Sequence, residues 1–204
     1  MLHLLKLKFK MKKYLLLLIS LVVTSTAMSQ QISLTNFNTE VFIENFSTKS
    51  PLFSFETTSE NYFIVDDGDL FLSRNNKLSD YTIFSSTPFS EENYKLKTSI
   101  KLIATNSKES YVGILLNTQL DGNGLVSVEI NSKKEYRVRQ INNGDSKYLS
   151  GNRDNEGWIA NDFIKENGEF NYIDILCYKG RYDLYFNFQY VNTFESPEYI
   201  TGRF

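Results

Sequence analysis

The sequence predicts an all-β domain made of two stacked antiparallel sheets. Three observations carry that expectation. Apolar and polar residues alternate in short runs, the runs close at Asn, Gly, Asp or Ser, and nothing after Gln31 sustains a helical period. Beyond the first thirty residues alanine is confined to Ala104 and Ala160 while aromatics abound. That balance suits a pleated, half-buried surface.

The elements follow in order. Val41–Phe46 is the first expected strand. Tyr62–Val65 and Asp69–Ser73 flank Asp67-Gly68, a hairpin dipeptide. Tyr81–Ser85 comes next, then Tyr94–Ile103, where Tyr94, Leu96, Ile100 and Leu102 share one side and Lys95, Lys97, Ser99 and Lys101 the other. Tyr111–Asn117 and Leu125–Asn131 are joined through Asp121-Gly122-Asn123-Gly124. In the latter strand Val126, Val128 and Ile130 oppose Ser127 and Glu129, and in Glu135–Ile141 Tyr136 and Val138 oppose Arg137 and Arg139. Asn143-Gly144 turns the chain, and a single helical turn is expected near Asn161–Lys165, ahead of Asn167-Gly168. Tyr172–Tyr178, the Lys179-Gly180 turn and one strand over Tyr182–Val191 complete the series. One apolar and one polar face per strand marks antiparallel sheets covered on a single side, so stacking two of them is the economical arrangement.

Ahead of this domain stands a secretion signal, residues 1–29, whose expected start is Met11. Met11-Lys12-Lys13 supplies the basic region, Tyr14–Val23 the apolar run, and Ala27-x-Ser29 the cleavage spacing. The expected mature chain, 30–204, is one secreted or periplasmic domain without a transmembrane segment. The leader takes with it His3, all three methionines, five lysines and no acid, leaving 17 basic against 24 acidic side chains, a net charge of −7. An acidic chain lacks the basic patch that nucleic acid requires. Without histidine, a histidine-based triad and ordinary zinc ligation are excluded. The lone cysteine, Cys177, shares a face with Ile173 and Ile175 and is expected to be a buried thiol.

The segments Asn45-Phe46, Tyr62–Leu70, Tyr111–Leu116, Tyr136–Val138, Gly168–Ile175 and Tyr182–Asn187 resemble, in their order and turns, the concanavalin A-like jelly-roll superfamily of secreted lectin, laminin-G-like and glucanase-type domains, in particular its secreted versions from Bacteroidetes-type bacteria. The resemblance covers nearly all of the mature chain. It implies a jelly-roll sandwich whose concave sheet meets a glycan or a cell-envelope protein. Two departures stand out. Phe188 follows Asn187 where the family turns with Gly or Asp, and the chain stops at Gly202-Arg203-Phe204 where a closing strand is expected, as in a truncated reading frame with one sheet edge left bare.

Glucanases of this superfamily place paired carboxylates on one strand face. Nothing here matches, since Glu129 and Asp174 each stand alone. The expected function is therefore non-catalytic binding. The alternatives are a polysaccharide-active hydrolase with carboxylates converging from separate strands, and a structural or vestigial domain. Candidate ligand-binding residues are Tyr111, Glu129, Arg137, Arg139 and Trp158: arginine forms paired hydrogen bonds to carboxylate or sugar oxygens, and an aromatic ring stacks on a sugar. The plainer reading is an exposed face with cross-strand Glu–Arg pairs, and a tryptophan that covers the core. No cofactor is expected. Asp66-Asp67-Gly68-Asp69 and Asp121–Gly124 carry oxygen ligands for a structural calcium, although turn chemistry accounts for both. An eight-stranded outer-membrane barrel is the rival architecture, disfavoured by too few suitable strands and no aromatic girdles.

Overall fold

In the computed structural model the described residues are 37, 39–40, 42–48, 61–74, 90–103 and 110–204. All lie in the compact unit Ile32–Phe204. Among them are eleven strands and no helix. A lone hairpin pairs β1 (Asn61–Asp66) with β2 (Asp69–Arg74). One larger sheet has the order β11 (Gln189–Glu195), β10 (Arg181–Phe186), β9 (Phe170–Tyr178), β3 (Asn93–Lys101). The other runs β4 (Tyr111–Leu116), β5 (Gly124–Asn131), β6 (Glu135–Asn142), β7 (Asp145–Tyr148), with β8 (Ile159–Ala160) also on β6. Every pairing is antiparallel.

The two larger sheets stack through the faces that the alternation assigns to the core. Val126, Val128, Ile130, Tyr136 and Val138 meet Ile173, Ile175, Cys177, Tyr182, Leu184 and Phe186 in one buried cluster. Each such aliphatic side chain contributes roughly 1.5–3 kcal/mol of transfer free energy. The Tyr136 and Phe186 rings meet edge-on at 5.6 Å across the sandwich. Cys177 is buried as expected, and burial pushes its thiol up from the usual value.

Polar groups also bridge the sheets. Asn117, fully buried after β4, accepts from the Tyr94 hydroxyl at 3.1 Å and donates to the Tyr182 hydroxyl and the Tyr199 carbonyl, each at 2.7 Å. This network anchors residues 199–204. There Arg203 bridges to both Ser90 and Thr118, and the Phe204 ring lies 4.4 Å from that of Tyr94.

Three expectations are corrected. Val41–Phe46 is not a strand over its described part, 42–46. Side chains capture the backbone there instead: Phe46 N–H donates to Glu44 Oε1, and Ser47 N–H to Asn45 Oδ1. The single helical turn expected near Asn161–Lys165 is a hydrogen-bonded β-turn and not part of a helix: Ile164 N–H donates to the Asn161 carbonyl at 3.2 Å, and Phe163 N–H donates to Asn161 Oδ1. Tyr182–Val191 is two strands, split by a hairpin at Asn187-Phe188. Tyr81–Ser85 lies outside the described residues.

That hairpin has three sisters. Asp67-Gly68, Asn143-Gly144 and Lys179-Gly180 are two-residue loops with both φ values positive, the pattern of a type I′ turn, and each uses Gly second. Asn187 and Phe188 have φ of 50° and 68°, so a phenylalanine occupies the position that Gly takes elsewhere. A non-glycine residue there costs on the order of 1 kcal/mol.

Candidate functional site

The site begins with a missing side chain. Gly113 on β4 pairs with Glu129 on β5, and a Cβ at Gly113 would stand 2.9 Å from Glu129 Cγ and 2.3 Å from the Val128 carbonyl oxygen. Glycine inside a strand often marks such a close approach. On the other side Glu129 pairs with Arg137 of β6, and Ser127 with Arg139. The register therefore puts a carboxylate between two guanidiniums.

Both carboxylate oxygens are used. Arg137 Nε donates to Glu129 Oε2 at 2.5 Å, while Arg139 donates to Oε1 from Nη2 at 2.5 Å and from Nε at 3.2 Å. Glu129 is 4% exposed and Arg137 5%. The plainer reading of an exposed face is thus overturned for these two residues. Glu156, on the adjoining loop, lies 3.6 Å from Arg137 Nη1 and is itself largely solvated. The Ser127 hydroxyl, buried on the same face by register, has no hydrogen-bond partner among the described residues.

Two rings enclose Arg137. Its guanidinium carbon is 4.3 Å from the Trp158 ring centroid and 4.7 Å from that of Tyr111, whose ring meets Trp158 edge-on at 5.9 Å. β8 places Trp158 there, because Ile159 pairs with Tyr136 and so brings the preceding residue beside Arg137. The loop before it is tied down: Ser150 Oγ accepts from Val138 N–H and donates to the Gly157 carbonyl, and Asn155 Nδ2 donates to the Trp158 carbonyl. Trp158 belongs to this stack and not to the core cluster.

All five residues singled out in the sequence therefore meet in one place, in two tiers. Glu129 and Arg137 are buried and mutually satisfied, so they hold the others in position. Tyr111, 46% exposed, presents its ring to solvent, with Trp158 and Arg139 partly exposed beside it. Stacking of a desolvated guanidinium on aromatic faces contributes up to about 2 kcal/mol. The spacing did not reveal Gly113 and Glu156. The first was signalled by a glycine inside an otherwise apolar strand run, the second by nothing local.

Asp174 lies on the other sheet, its carboxylate 3.9 Å from Lys95 Nζ, so it forms no pair with Glu129. Asp67-Gly68 is the β1–β2 hairpin turn, and Asp121 Oδ1 accepts from Asn123 N–H as an Asx turn. Among the described residues no group of three or more His, Cys, Asp or Glu gathers as a metal ligand set. Among the described residues no helix is long and apolar enough to cross a membrane. A pocket of about 480 Å³ between Gln119–Gly124, Asn142-Asn143 and Tyr199 lies at the opposite end of β4–β6 and includes none of the five.

No protein-family model matches the chain, and no curated protein matches it in sequence. Among solved structures it is similar to the carbohydrate-binding module CBM66 from Bacillus subtilis, at 10% identity and a TM-score of 0.49, over 58% of this chain and 68% of that one. It is also similar to sheep galectin-11 in complex with glycerol, at 11% identity and a TM-score of 0.42, over 57% and 90% of the two chains. The likeness is one of strand arrangement.

Proposed function

We propose that this protein is a secreted, non-catalytic, concanavalin A-like binding module whose glycan lies on Tyr111, Trp158 and Arg139. One observation carries the reading: a buried Glu129–Arg137–Arg139 cluster is spent on holding two partly exposed rings and a guanidinium in fixed relation. A buried ion cluster is a poor way to stabilise a sheet, since apolar residues of the same volume serve as well or better. It is a good way to preorganise a surface. The rings offer apolar faces to the C–H side of a sugar, and Arg139 offers donors to its hydroxyl or carboxylate oxygens. Two guanidiniums face one buried carboxylate, with solvated Glu156 as the one further counter-charge among the described residues, so a saccharide with carboxylate or other acceptor oxygens is favoured.

The hydrolase alternative draws less support. Glu129 has both oxygens occupied by arginine, and Asp174 is on the other sheet. A glycan array probed with the folded domain tests the proposal. Trp158, the sole tryptophan, gives a second readout, because a saccharide over its ring shifts its emission. Tyr111→Ala and Arg139→Ala should each weaken any hit at least about tenfold without loss of fold. A blank array, or hits indifferent to both substitutions, would overturn it.

A further inference from the structure

The β10–β11 turn departs from its sisters at a residue that gains little from packing. Phe188 is 72% exposed at a φ of 68°, and its ring contact is with Tyr172, at 5.4 Å with planes 25° apart. Backbone strain persists where something else requires the residue. Burial is not that requirement here. Tyr172 is itself 45% exposed. Asn187 fixes the pair: its Oδ1 accepts from Tyr172 N–H, while its Nδ2 donates to the Phe163 carbonyl and to Asn171 Oδ1. Two rings are thus held rigidly in solvent on a strained tip.

We propose that Tyr172 and Phe188 form a second saccharide-stacking platform. Ile173 points into the core, so Tyr172 points away from it, on the outer face of the four-stranded sheet. Glu129, Arg137 and Tyr111 lie on the outer face of the other sheet, so the two platforms look in opposite directions. Shape and donors favour the occupant. At these exposures the two rings offer on the order of 200 Å², which suits one or two sugar rings. Lys165 places its ammonium over the Tyr172 ring at 5.8 Å, and register puts Lys97 and Lys101 of β3 on the same outer face, with Lys101 over Phe170 at 4.3 Å. A flat apolar face with donors beside it is what a sugar ring requires, and an anionic vesicle surface is the competing outcome that the test separates. A module with opposed platforms links two polysaccharide chains.

The proposal concerns a surface separate from Tyr111–Trp158, and its test isolates it. The full chain is run in native gels containing β-1,3-glucan, β-1,4-glucan, mannan or pullulan, in a Tyr111→Ala/Trp158→Ala background that disables the first platform. At least one polymer should still retard this variant. Adding Phe188→Gly should raise the apparent Kd about tenfold or abolish retardation, with Tm no lower than that of the background protein. Phe188→Asn, which tolerates the same backbone, serves if the glycine variant folds poorly. Retardation by no polymer overturns the proposal, as does retardation indifferent to residue 188. Phe188-dependent sedimentation with phosphatidylglycerol vesicles, in place of polymer retardation, also overturns it. The first platform fails or survives separately, through Tyr111→Ala in the otherwise unaltered chain.

Discussion

Glu129→Ala is the perturbation that weighs most on this architecture. The side chains of Glu129, Arg137 and Arg139 are 5%, 6% and 17% exposed. Arg139 reaches solvent once the carboxylate is gone, but Arg137 stays enclosed between Tyr111 and Trp158, with solvated Glu156 at 3.6 Å as its one remaining counter-charge among the described residues. Breaking a buried pair from one side costs about 3–5 kcal/mol, a large share of the 5–15 kcal/mol that typically separates native from unfolded. Replacing both partners, as Glu129→Ala/Arg137→Met, removes the stranded charge and should recover about 2 kcal/mol or more relative to the single variant. Urea unfolding followed by Trp158 fluorescence and by circular dichroism measures both free energies. A cost below about 1 kcal/mol for Glu129→Ala, the value of an exposed pair, would refute the reasoning. So would a double variant no more stable than the single.

Other outcomes follow from the same packing. Gly113→Ala should lower stability by about 1–3 kcal/mol, because its Cβ meets the Val128 carbonyl oxygen at 2.3 Å and that backbone oxygen cannot yield; thermal unfolding reads it. Asn117→Ala should cost about 1–2 kcal/mol, since it takes the acceptor from the buried Tyr94 hydroxyl and leaves the Tyr182 hydroxyl and the Tyr199 carbonyl only their bond to each other, and the loss should appear equally in chemical and thermal unfolding. Burial raises the phenol pKa of Tyr94 and Tyr182 above the usual value of 10.0. The unfolded chain releases these protons near pH 10 and the native one does not, so their stabilisation is intact below pH 10 and is lost as pH rises beyond it. The slope is about 2.7 kcal/mol per pH unit for the two groups. Absorbance of phenolate at alkaline pH should show both ionising only with unfolding.

The faces of the sandwich were legible because alternation is a direct record of burial. Val126, Val128 and Ile130 point inward as read, and so do Ile173, Ile175 and Cys177. Where the reading failed, local chemistry competed with the period. Val41–Phe46 alternates acceptably, yet Glu44 and Asn45 capture the backbone with their side chains. Asn187-Phe188 passed as strand interior because phenylalanine is a strong strand residue and a poor turn residue, and only tertiary context reveals the positive φ. The candidate site was legible as far as residue parity goes, which set Glu129, Arg137 and Arg139 on one face. Their burial was not, because it depends on Trp158, twenty-one residues beyond Arg137, folding back through β8.

The cross-sheet network has a kinetic meaning. Asn117 is bonded to the carbonyl of a residue 82 positions away, and Lys179 N–H to Asn93 Oδ1 over 86. Contacts of such separation form late, because loop-closure entropy must be overcome before they reward the chain. A ribosome releases residues in order, so the Asn117–Tyr182 bond cannot form until β10 has emerged, nor the Asn117–Tyr199 bond until the segment after β11 has. A nascent chain of this design stays open for most of its synthesis. During that interval its apolar strand faces are uncovered, so the danger of aggregation is greatest before the network forms.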